Sequence, residues 1–449
     1  MGKMFGTDGI RGIANKELTP ELAFRIGRII AFLLGERSSQ VRPFILLGRD
    51  TRISGSMLEG ALVAGITSTG VDVHLLGVAP TPAVAFLTGE MEAAGGIMIS
   101  ASHNPMEDNG IKFFGAGGLK LDADLEEEAE KLFWAEDTLP RPTGGGVGRF
   151  YTAEQEINRY IDFLRGKALS LQGLKVVIDC ANGSFCHIAP LLCSELGADV
   201  VPCNHEPDGV NINADCGSTN ISLLQETVKK ERAHIGLAFD GDGDRLIAVD
   251  EKGKRVDGDA ILAVCGSYLK ERGLLHGDTV VATVMSNAGL DLVGETKGFR
   301  VLRTNVGDRY VFEELQRGGY SLGGEQSGHI IFPEFLPTGD GLLTSLQLLK
   351  VIVEENEPLS HLAAIMKPFP QKLVNCRVGN KNGWENNKNI TRALKLAQEK
   401  LNKKGRILIR ASGTEPLIRI MVEGENEKLL EIITQELAHV VEQELGIVS

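Results

Sequence analysis

The chain has 449 residues, about three domains' worth at roughly 150 residues each, which excludes a small stapled scaffold. Hydrophobic residues at 43% and charged residues at 24% are the proportions of a folded globular protein. Glycine is in excess, with 54 residues. A net charge of −13 argues against a general nucleic-acid binder, which needs a basic footprint, but leaves room for a small anion in a local basic pocket.

The opening MGKMFGTDGIRG has no apolar core of the secretory kind. No apolar run reaches the ~18 residues of a spanning helix. Seven cysteines, five of them between Cys180 and Cys216, form no CxxC pair and match no zinc spacing. They read as buried thiols of a cytoplasmic protein.

Strand-like runs alternate with amphipathic helices, which predicts a largely parallel α/β protein. Thr19 and Pro20 open a first helix whose apolar stripe is Leu22, Ile26, Ile29, Ile30 and Leu33. Phe44 to Leu47 predicts a buried strand, and so does Gly96 to Ile99, which runs into the polar loop Ser100–Pro105. Pro105 bars helical geometry at Asn104. Three glycines at 144–146 mark the end of a first domain. Lys175 to Asp179 begins a second unit, and His234 to Phe239 enters Asp240-Gly241-Asp242-Gly243-Asp244-Arg245 before Leu246 to Val249 continues. Asp259 is the expected cap of a helix from Ala260 to Arg272, followed by a strand at Val280 to Val284 and another at Tyr320 to Leu322. Beyond Pro368 and Pro370 come a helix near Ile390 to Leu401, a strand at Arg406 to Ile409 and a helix from Asn426 to Leu445. The expected units are 1–152, 153–255, 256–367 and 368–449. No internal repeat is visible.

Asp240, Asp242 and Asp244 alternate with glycines, so their carboxylates can converge on one hard cation such as Mg²⁺. An EF-hand fails here: Glu251 fits its twelfth position, but Arg245 occupies the sixth, where glycine is needed, and strands flank the loop. Arg245 beside a metal can instead neutralise a phosphoryl group. Ser102, in a polar loop after a buried strand, is the candidate nucleophile, with His103 and Lys112 as possible partners. Arg410-Ala411-Ser412-Gly413-Thr414-Glu415-Pro416 and Arg419 combine guanidinium forks, hydroxyls and a glycine, the makings of a phosphate clamp. Gly323–His329 is a further polar loop, whose Glu325 can hold hydroxyl groups.

Taken in order, the segments SASHNP, DGDGDR, GGEQSGH and RASGTEPLIR resemble those of the α-D-phosphohexomutase superfamily over essentially the whole length. GTDGIRG and GRDTRISG fit the same pattern. Gln326, the stretch Arg303–Val311 and Pro337–Gly341 are most similar to the bacterial branch acting on glucosamine phosphates. The resemblance implies four domains around a central cleft, three α/β and a smaller C-terminal α+β domain. It implies a phosphoserine at Ser102 and one Mg²⁺ held by Asp240, Asp242, Asp244 and the serine-bound phosphoryl group. Glu325 and Ser327 are then expected to hold the sugar, and Arg410, Ser412, Gly413, Thr414 and Arg419 the phosphate that does not react. Arg11, His103, Lys112, Arg245 and His329 are the expected acid, base or charge-stabilising groups. The implied reaction moves a phosphoryl group between C6 and C1 of glucosamine through a bisphosphate, catalytic amounts of which would serve as activator. A mutase of mannose or glucose phosphates and a non-catalytic phosphosugar-binding protein are the alternatives. A homodimer is a further expectation, with the last domain closing over the cleft about a hinge near Pro368–Pro370.

Overall fold

The computed structural model describes residues 4–6, 8–381, 383–402, 405–411 and 417–446. Two compact units emerge: one comprises residues 1–283 and 302–364, the other 284–301 and 365–449. No described helix is long and apolar enough to cross a membrane.

The first unit holds two sheets and, apart from residues 300 and 301 of β13, a third. The first is built from β1 (Ile10–Ile13), β2 (Phe44–Arg49), β3 (Asp72–Val78), β4 (Gly95–Ile99), β5 (Asp108–Phe114) and β6 (Phe150–Thr152), in the order β1-β5-β4-β2-β3-β6. From β4 to β6 the strands run parallel, whereas β5 is antiparallel to both β4 and β1. Thr19 caps the helix Pro20–Arg37, and Ile26, Ile29, Ile30 and Leu33 of its stripe are buried. Leu22 is only partly buried. This helix packs closely on Gly55–Thr67, where a Cβ on Gly65 would stand 2.2 Å from the Phe24 carbonyl oxygen.

The second sheet contains β7 (Lys175–Asp179), β8 (Asp199–Cys203), β9 (Ile235–Phe239), β10 (Leu246–Asp250) and β11 (Arg255–Val256), in the order β11-β10-β9-β7-β8. Here β10 does not continue onward from β9. It returns antiparallel with Leu246 opposite Phe239, so the aspartate loop is a hairpin connection. The third sheet has β12 (Thr279–Thr283), β13 (Arg300–Thr304), β14 (Leu322–Gly324) and β15 (Ile330–Ile331), in the order β13-β12-β14-β15. The strand expected at Tyr320 to Leu322 lies two residues later. Gly323 and Gly324 belong to it, because a side chain at Gly324 would meet the His329 carbonyl oxygen at 2.6 Å. The helix cap also differs from expectation. Asp257, not Asp259, accepts the Ala260 N–H at the start of Gly258–Glu271, and Asp259 sits buried inside the first turn.

One design recurs in all three sheets. A parallel strand (β4, β9 or β14) runs into a polar loop and an antiparallel strand (β5, β10 or β15) brings the chain back. Loops at the carboxyl ends of parallel strands are where α/β sheets collect ligand-binding groups.

In the second unit β16 (Gln371–Arg377), β17 (Gly405–Ala411) and β18 (Leu417–Gly424) form an antiparallel sheet in the order β16-β18-β17. Helices Lys388–Leu401 and Glu427–Leu445 share its core through Ile390, Leu401, Leu430, Ile433, Leu437 and Val441. Asn426 caps the last helix by accepting the Leu429 N–H. Glu423 is completely buried in β18. It accepts the Ala288 N–H at 2.5 Å and donors from Gln371 and Arg406, so the 284–301 segment is fastened to this sheet.

Asp340 caps the helix Gly341–Glu355 by accepting the Leu342 and Leu343 N–H groups, and also takes the Tyr160 hydroxyl at 2.8 Å. Burial pushes its carboxyl up to about 6 in spite of these donors. Its acid form is therefore favoured in the fold: the penalty is absent below about pH 4, grows as pH rises and is complete above about 6. Asp340→Asn keeps the cap and removes the ionisation. Unfolding free energies from urea denaturation between pH 4 and 7 are expected to shift progressively in the variant's favour, reaching about 2–3 kcal/mol.

Candidate active site

Ser102 lies in the connection between β4 and β5, fully buried, with a left-handed φ of +54°. That conformation costs a non-glycine residue about 1–2 kcal/mol and survives only where the surroundings impose it. Here they do. The Ser102 N–H donates to Ser100 Oγ at 2.8 Å, and Ser100 Oγ donates to Asp50 Oδ2 at 2.6 Å. The Ser102 carbonyl accepts Arg52 Nη2 at 3.0 Å and Asn213 Nδ2 at 2.9 Å. Arg52 is itself buried and commits its whole fork: Nε to Asp50 Oδ2, Nη1 to the Pro105 and Asp108 carbonyls, and Nη2 to those of Ser102 and Asn104. Arg52 and Asn213 were not singled out from the sequence. GRDTRISG drew attention, but nothing in it marks Arg52 as buried, and Asn213 arrives from a distant loop.

Ser102 Oγ donates to Asp240 Oδ2 at 2.5 Å and faces His103 Nδ1 at 3.3 Å. Burial, then the charges of Arg245 and Arg11, push the His103 imidazole down to about 4. It is neutral near pH 7.

Asp240, Asp242 and Asp244 are buried with their ligand atoms all within 4.8 Å of one another. The loop presses against the serine, since a Cβ on Gly241 would stand 2.7 Å from the Ser102 carbonyl oxygen. Asp242 Oδ2 accepts Thr81 Oγ1 at 2.6 Å and Lys112 Nζ at 2.7 Å, and Asp244 Oδ2 accepts Lys112 Nζ at 3.2 Å. Asp242 Oδ1 and Asp244 Oδ1 are buried without a hydrogen-bond partner. Burial, then the charges of Asp244 and Asp242, hold the Asp240 carboxyl well above the usual range. Such a set of oxygen donors with unsatisfied lone pairs fits a hard divalent cation. Among the described residues it is the one metal-capable group of His, Cys, Asp and Glu, and the cysteines between 180 and 216 form none. All seven cysteines are free thiols, and all but Cys203 are buried.

Burial works against the Lys112 charge, but the carboxylates of Asp242, Asp8 and Asp244 outweigh it and hold the ammonium well above its ordinary pKa. Asp8 Oδ2 lies 3.0 Å from Lys112 Nζ and accepts Arg11 Nη2 at 2.6 Å. Asp8 Oδ1 accepts Lys120 Nζ at 2.7 Å. Arg11 Nη1 also donates to the Ala101 carbonyl beside the serine. His329 is buried with Nδ1 3.7 Å from Asp244 Oδ2, while its Nε2 accepts the Gly339 N–H at 3.1 Å. That N–H favours the tautomer with the proton on Nδ1. The backbone N–H of Arg245 donates to Asp240 Oδ1, and its buried Nε, 3.7 Å from Asp244 Oδ1, has no hydrogen-bond partner. Glu325 Oε1 accepts the Gly307 N–H at 3.1 Å, and the buried Ser327 Oγ is likewise unpartnered. The structure thus brings Ser102, His103, Lys112, Arg11, Arg245 and His329 around the aspartate hairpin. It adds Asp8, Thr81 and Lys120, which the sequence reading passed over.

In the other unit Arg410 and Arg419 stand opposite each other on β17 and β18. Burial and the Arg419 charge lower the basicity of the Arg410 guanidinium. Like charges directly opposite in a sheet are unfavourable, and an anion between them relieves the repulsion. Ser412, Gly413 and Thr414 lie outside the described residues.

Four family models match in order: Phosphoglucomutase/phosphomannomutase alpha/beta/alpha domain I over residues 2–139, domain II over 158–253, domain III over 257–369, and the C-terminal domain over 373–440. A phosphoglucosamine mutase of Desulforudis audaxviator is 55% identical over 443 residues, 98% of both chains. That of Shouchella clausii is 52% identical, covering 99% of this chain and 100% of its own. Among solved structures, a phosphoglucomutase/phosphomannomutase family protein from Burkholderia thailandensis superposes with a TM-score of 0.82 at 24% identity, over 98% of this chain and 97% of that one. An Aspergillus fumigatus N-acetylphosphoglucosamine mutase, solved with GlcNAc-6P and magnesium, gives 0.70 at 17% identity, over 98% and 95%. At these identities the structures are alike in fold.

Arg52→Met strands the buried Asp50 carboxylate and takes one donor from each of four carbonyls, of which those of Ser102 and Asn104 keep Asn213. It is expected to cost about 3–5 kcal/mol in urea denaturation, the usual penalty for half of a buried ion pair. Adding Asp50→Asn should recover part of that loss.

Proposed function

Because the chain belongs to the phosphoglucomutase/phosphomannomutase family, we propose that it interconverts glucosamine 6-phosphate and glucosamine 1-phosphate through a phosphoserine at Ser102 and a sugar bisphosphate. The observation that carries this reading is Ser102, held in a left-handed turn with its Oγ against an aspartate triad that has two unpartnered oxygens. Relatives at 51–55% identity over nearly the whole chain, named phosphoglucosamine mutase, support the amino-sugar assignment.

Asp240, Asp242 and Asp244, with the serine-bound phosphoryl group, would hold one Mg²⁺, whose charge when bound offsets the negative charge gathering on the transferring oxygens. The rest falls to side chains. In the first half-reaction the bond from phosphorus to Ser102 Oγ breaks and one to a sugar hydroxyl oxygen forms, yielding the bisphosphate. The hydroxyl proton is given up, and Ser102 Oγ gains one. His103 Nδ1, 3.3 Å from Oγ and neutral, is suited to take the serine proton when Ser102 attacks the bisphosphate in the second half-reaction. Lys112, Arg11 and Arg245 supply positive charge near the serine, and His329 presents its Nδ1–H on the side of Asp244. Glu325 and Ser327 hold sugar hydroxyls. Arg410, Ser412, Gly413, Thr414 and Arg419 hold the phosphate that does not react. The second half-reaction returns the other phosphoryl group to Ser102, and a clamp that accepts either end of the sugar follows from that symmetry. A trace of bisphosphate serves as activator by rephosphorylating any idle Ser102.

Four domains with limits 1–152, 153–255, 256–367 and 368–449 belong to the same reading, as does a homodimer, which light scattering checks. Seven free thiols support a reducing compartment, the cytoplasm.

Purified protein with Mg²⁺ and a trace of the matching bisphosphate should turn over glucosamine 6-phosphate faster than mannose or glucose 6-phosphate. Equal or greater turnover of either rival rejects the amino-sugar assignment. Mass spectrometry should find one phosphoryl group on Ser102, and Ser102→Ala should lose both it and activity. Mg²⁺ should raise the melting temperature of the unphosphorylated wild type by several degrees but not that of Asp242→Asn. An equal shift in the variant would remove the triad as the metal site.

A further inference from the structure

Lys120 has no part in the chemistry described above, yet two tight turns bring its ammonium to the edge of it. After β5 the chain turns at Gly115–Leu119, and Lys120 bridges back to Phe114. Gly118 permits this with a φ of +75° at a point where a Cβ would stand 2.0 Å from the Ala85 carbonyl oxygen. Gly9, at φ +80°, packs its Cα against the Ile111 carbonyl and so sets Asp8 beside Lys112. Lys112 and Lys120 therefore converge on the two oxygens of Asp8, at 3.0 and 2.7 Å.

On its other side Lys120 Nζ lies 2.5 Å from Asp308 Oδ2. The same Asp308 oxygen is 3.6 Å from His329 Nε2, and His329 Nδ1 faces Asp244. The contacts close into a ring: Asp244, Lys112, Asp8, Lys120, Asp308, His329 and back to Asp244. Packing alone does not hold it, because a cavity of about 180 Å³ borders Lys120, Asp308 and His329. Nor is Lys120 needed merely to staple these regions together, since Arg309 already reaches Glu126 at 3.3 Å beside it.

We propose that Lys120 is a positioning residue of the mutase reaction: by gripping Asp8 and Asp308 together, it keeps the Lys112 ammonium on the aspartate hairpin and the His329 ring turned with Nδ1 towards Asp244. Without it, the Asp308 carboxylate favours the tautomer with the proton on Nε2, at the expense of the bond that Nε2 accepts from the Gly339 N–H. Asp8, short of one cation, draws Lys112 off Asp242 and Asp244. Both groups that flank the reacting phosphoryl then stand slightly out of place, a loss that reaches the rate more than the affinity.

The inference rests on the mutase reading, and the two fail differently. A wild type that turns over none of the hexose 6-phosphates sinks the reading itself. On a substrate the wild type does turn over, steady-state kinetics and melting temperatures are compared for Lys120→Met, Lys120→Arg and Arg309→Met. Lys120→Met is expected to lower kcat about 30-fold or more with KM within about threefold and melting within a few degrees. Lys120→Arg should return to within about threefold of wild type, and Arg309→Met should keep wild-type kcat. Should the methionine variant not fold, Lys120→Gln gives the same reading. A wild-type kcat in Lys120→Met or Lys120→Gln, a loss borne by KM alone, or an equal loss in Arg309→Met overturns the assignment.

Discussion

Everything around the serine answers to one constraint, the burial of three carboxylates in a six-residue hairpin. Two unit charges 4.8 Å apart repel by about 3–4 kcal/mol even at an effective dielectric of 20, and the hairpin holds three such pairs. The protein compensates in only part. Lys112 and Thr81 bind the inner oxygens, Ser102 and the Arg245 N–H bind Asp240, and two oxygens are left over. Those leftovers leave a place for a divalent cation, and because the triad is built to be incomplete, its own repulsion favours binding one. Lys112 in turn is so strongly committed that it needs a second set of counter-charges, Asp8 and beyond it Lys120 and Asp308. The outer charges thus follow from the inner ones.

The serine is governed by a different force. Its left-handed backbone is imposed by donors aimed at one carbonyl from two directions: Arg52 from the loop after β2 and Asn213 from the loop after β8. Hydrogen bonding sets the serine's angle and charge sets the aspartates' positions. The two systems meet in the Ser102–Asp240 bond.

Much of this was legible in the residues. Alternating glycines and aspartates announce a convergent carboxylate loop, and strand periodicity put most elements within a residue or two of where they lie. What could not be read were pairings. Leu246 to Val249 is apolar whether it continues past β9 or turns back beside it, so periodicity is silent on direction. For the same reason the threefold recurrence of strand, polar loop and antiparallel return stayed hidden: it repeats in topology without repeating in residues. The capping role went to Asp257 because two aspartates two positions apart are equivalent until the helix axis is known. Arg52, Asn213 and Lys120 act through contacts 50 or more residues distant in the chain or through their own burial, and composition carries no trace of either.

Glu423 bears on how the gene can be cut. Its carboxylate reaches out of the C-terminal sheet to the Ala288 N–H, while Asn287 exchanges hydrogen bonds with the Phe369 backbone. The stretch that coheres is therefore discontinuous, and it is spliced from 284–301 and 365–449. A fragment starting at Pro368 would carry a buried acid stripped of one of its donors. Chimaeras between relatives should accordingly exchange the two stretches as a pair, because the natural module boundary here is drawn in space and passes through the gene at three places.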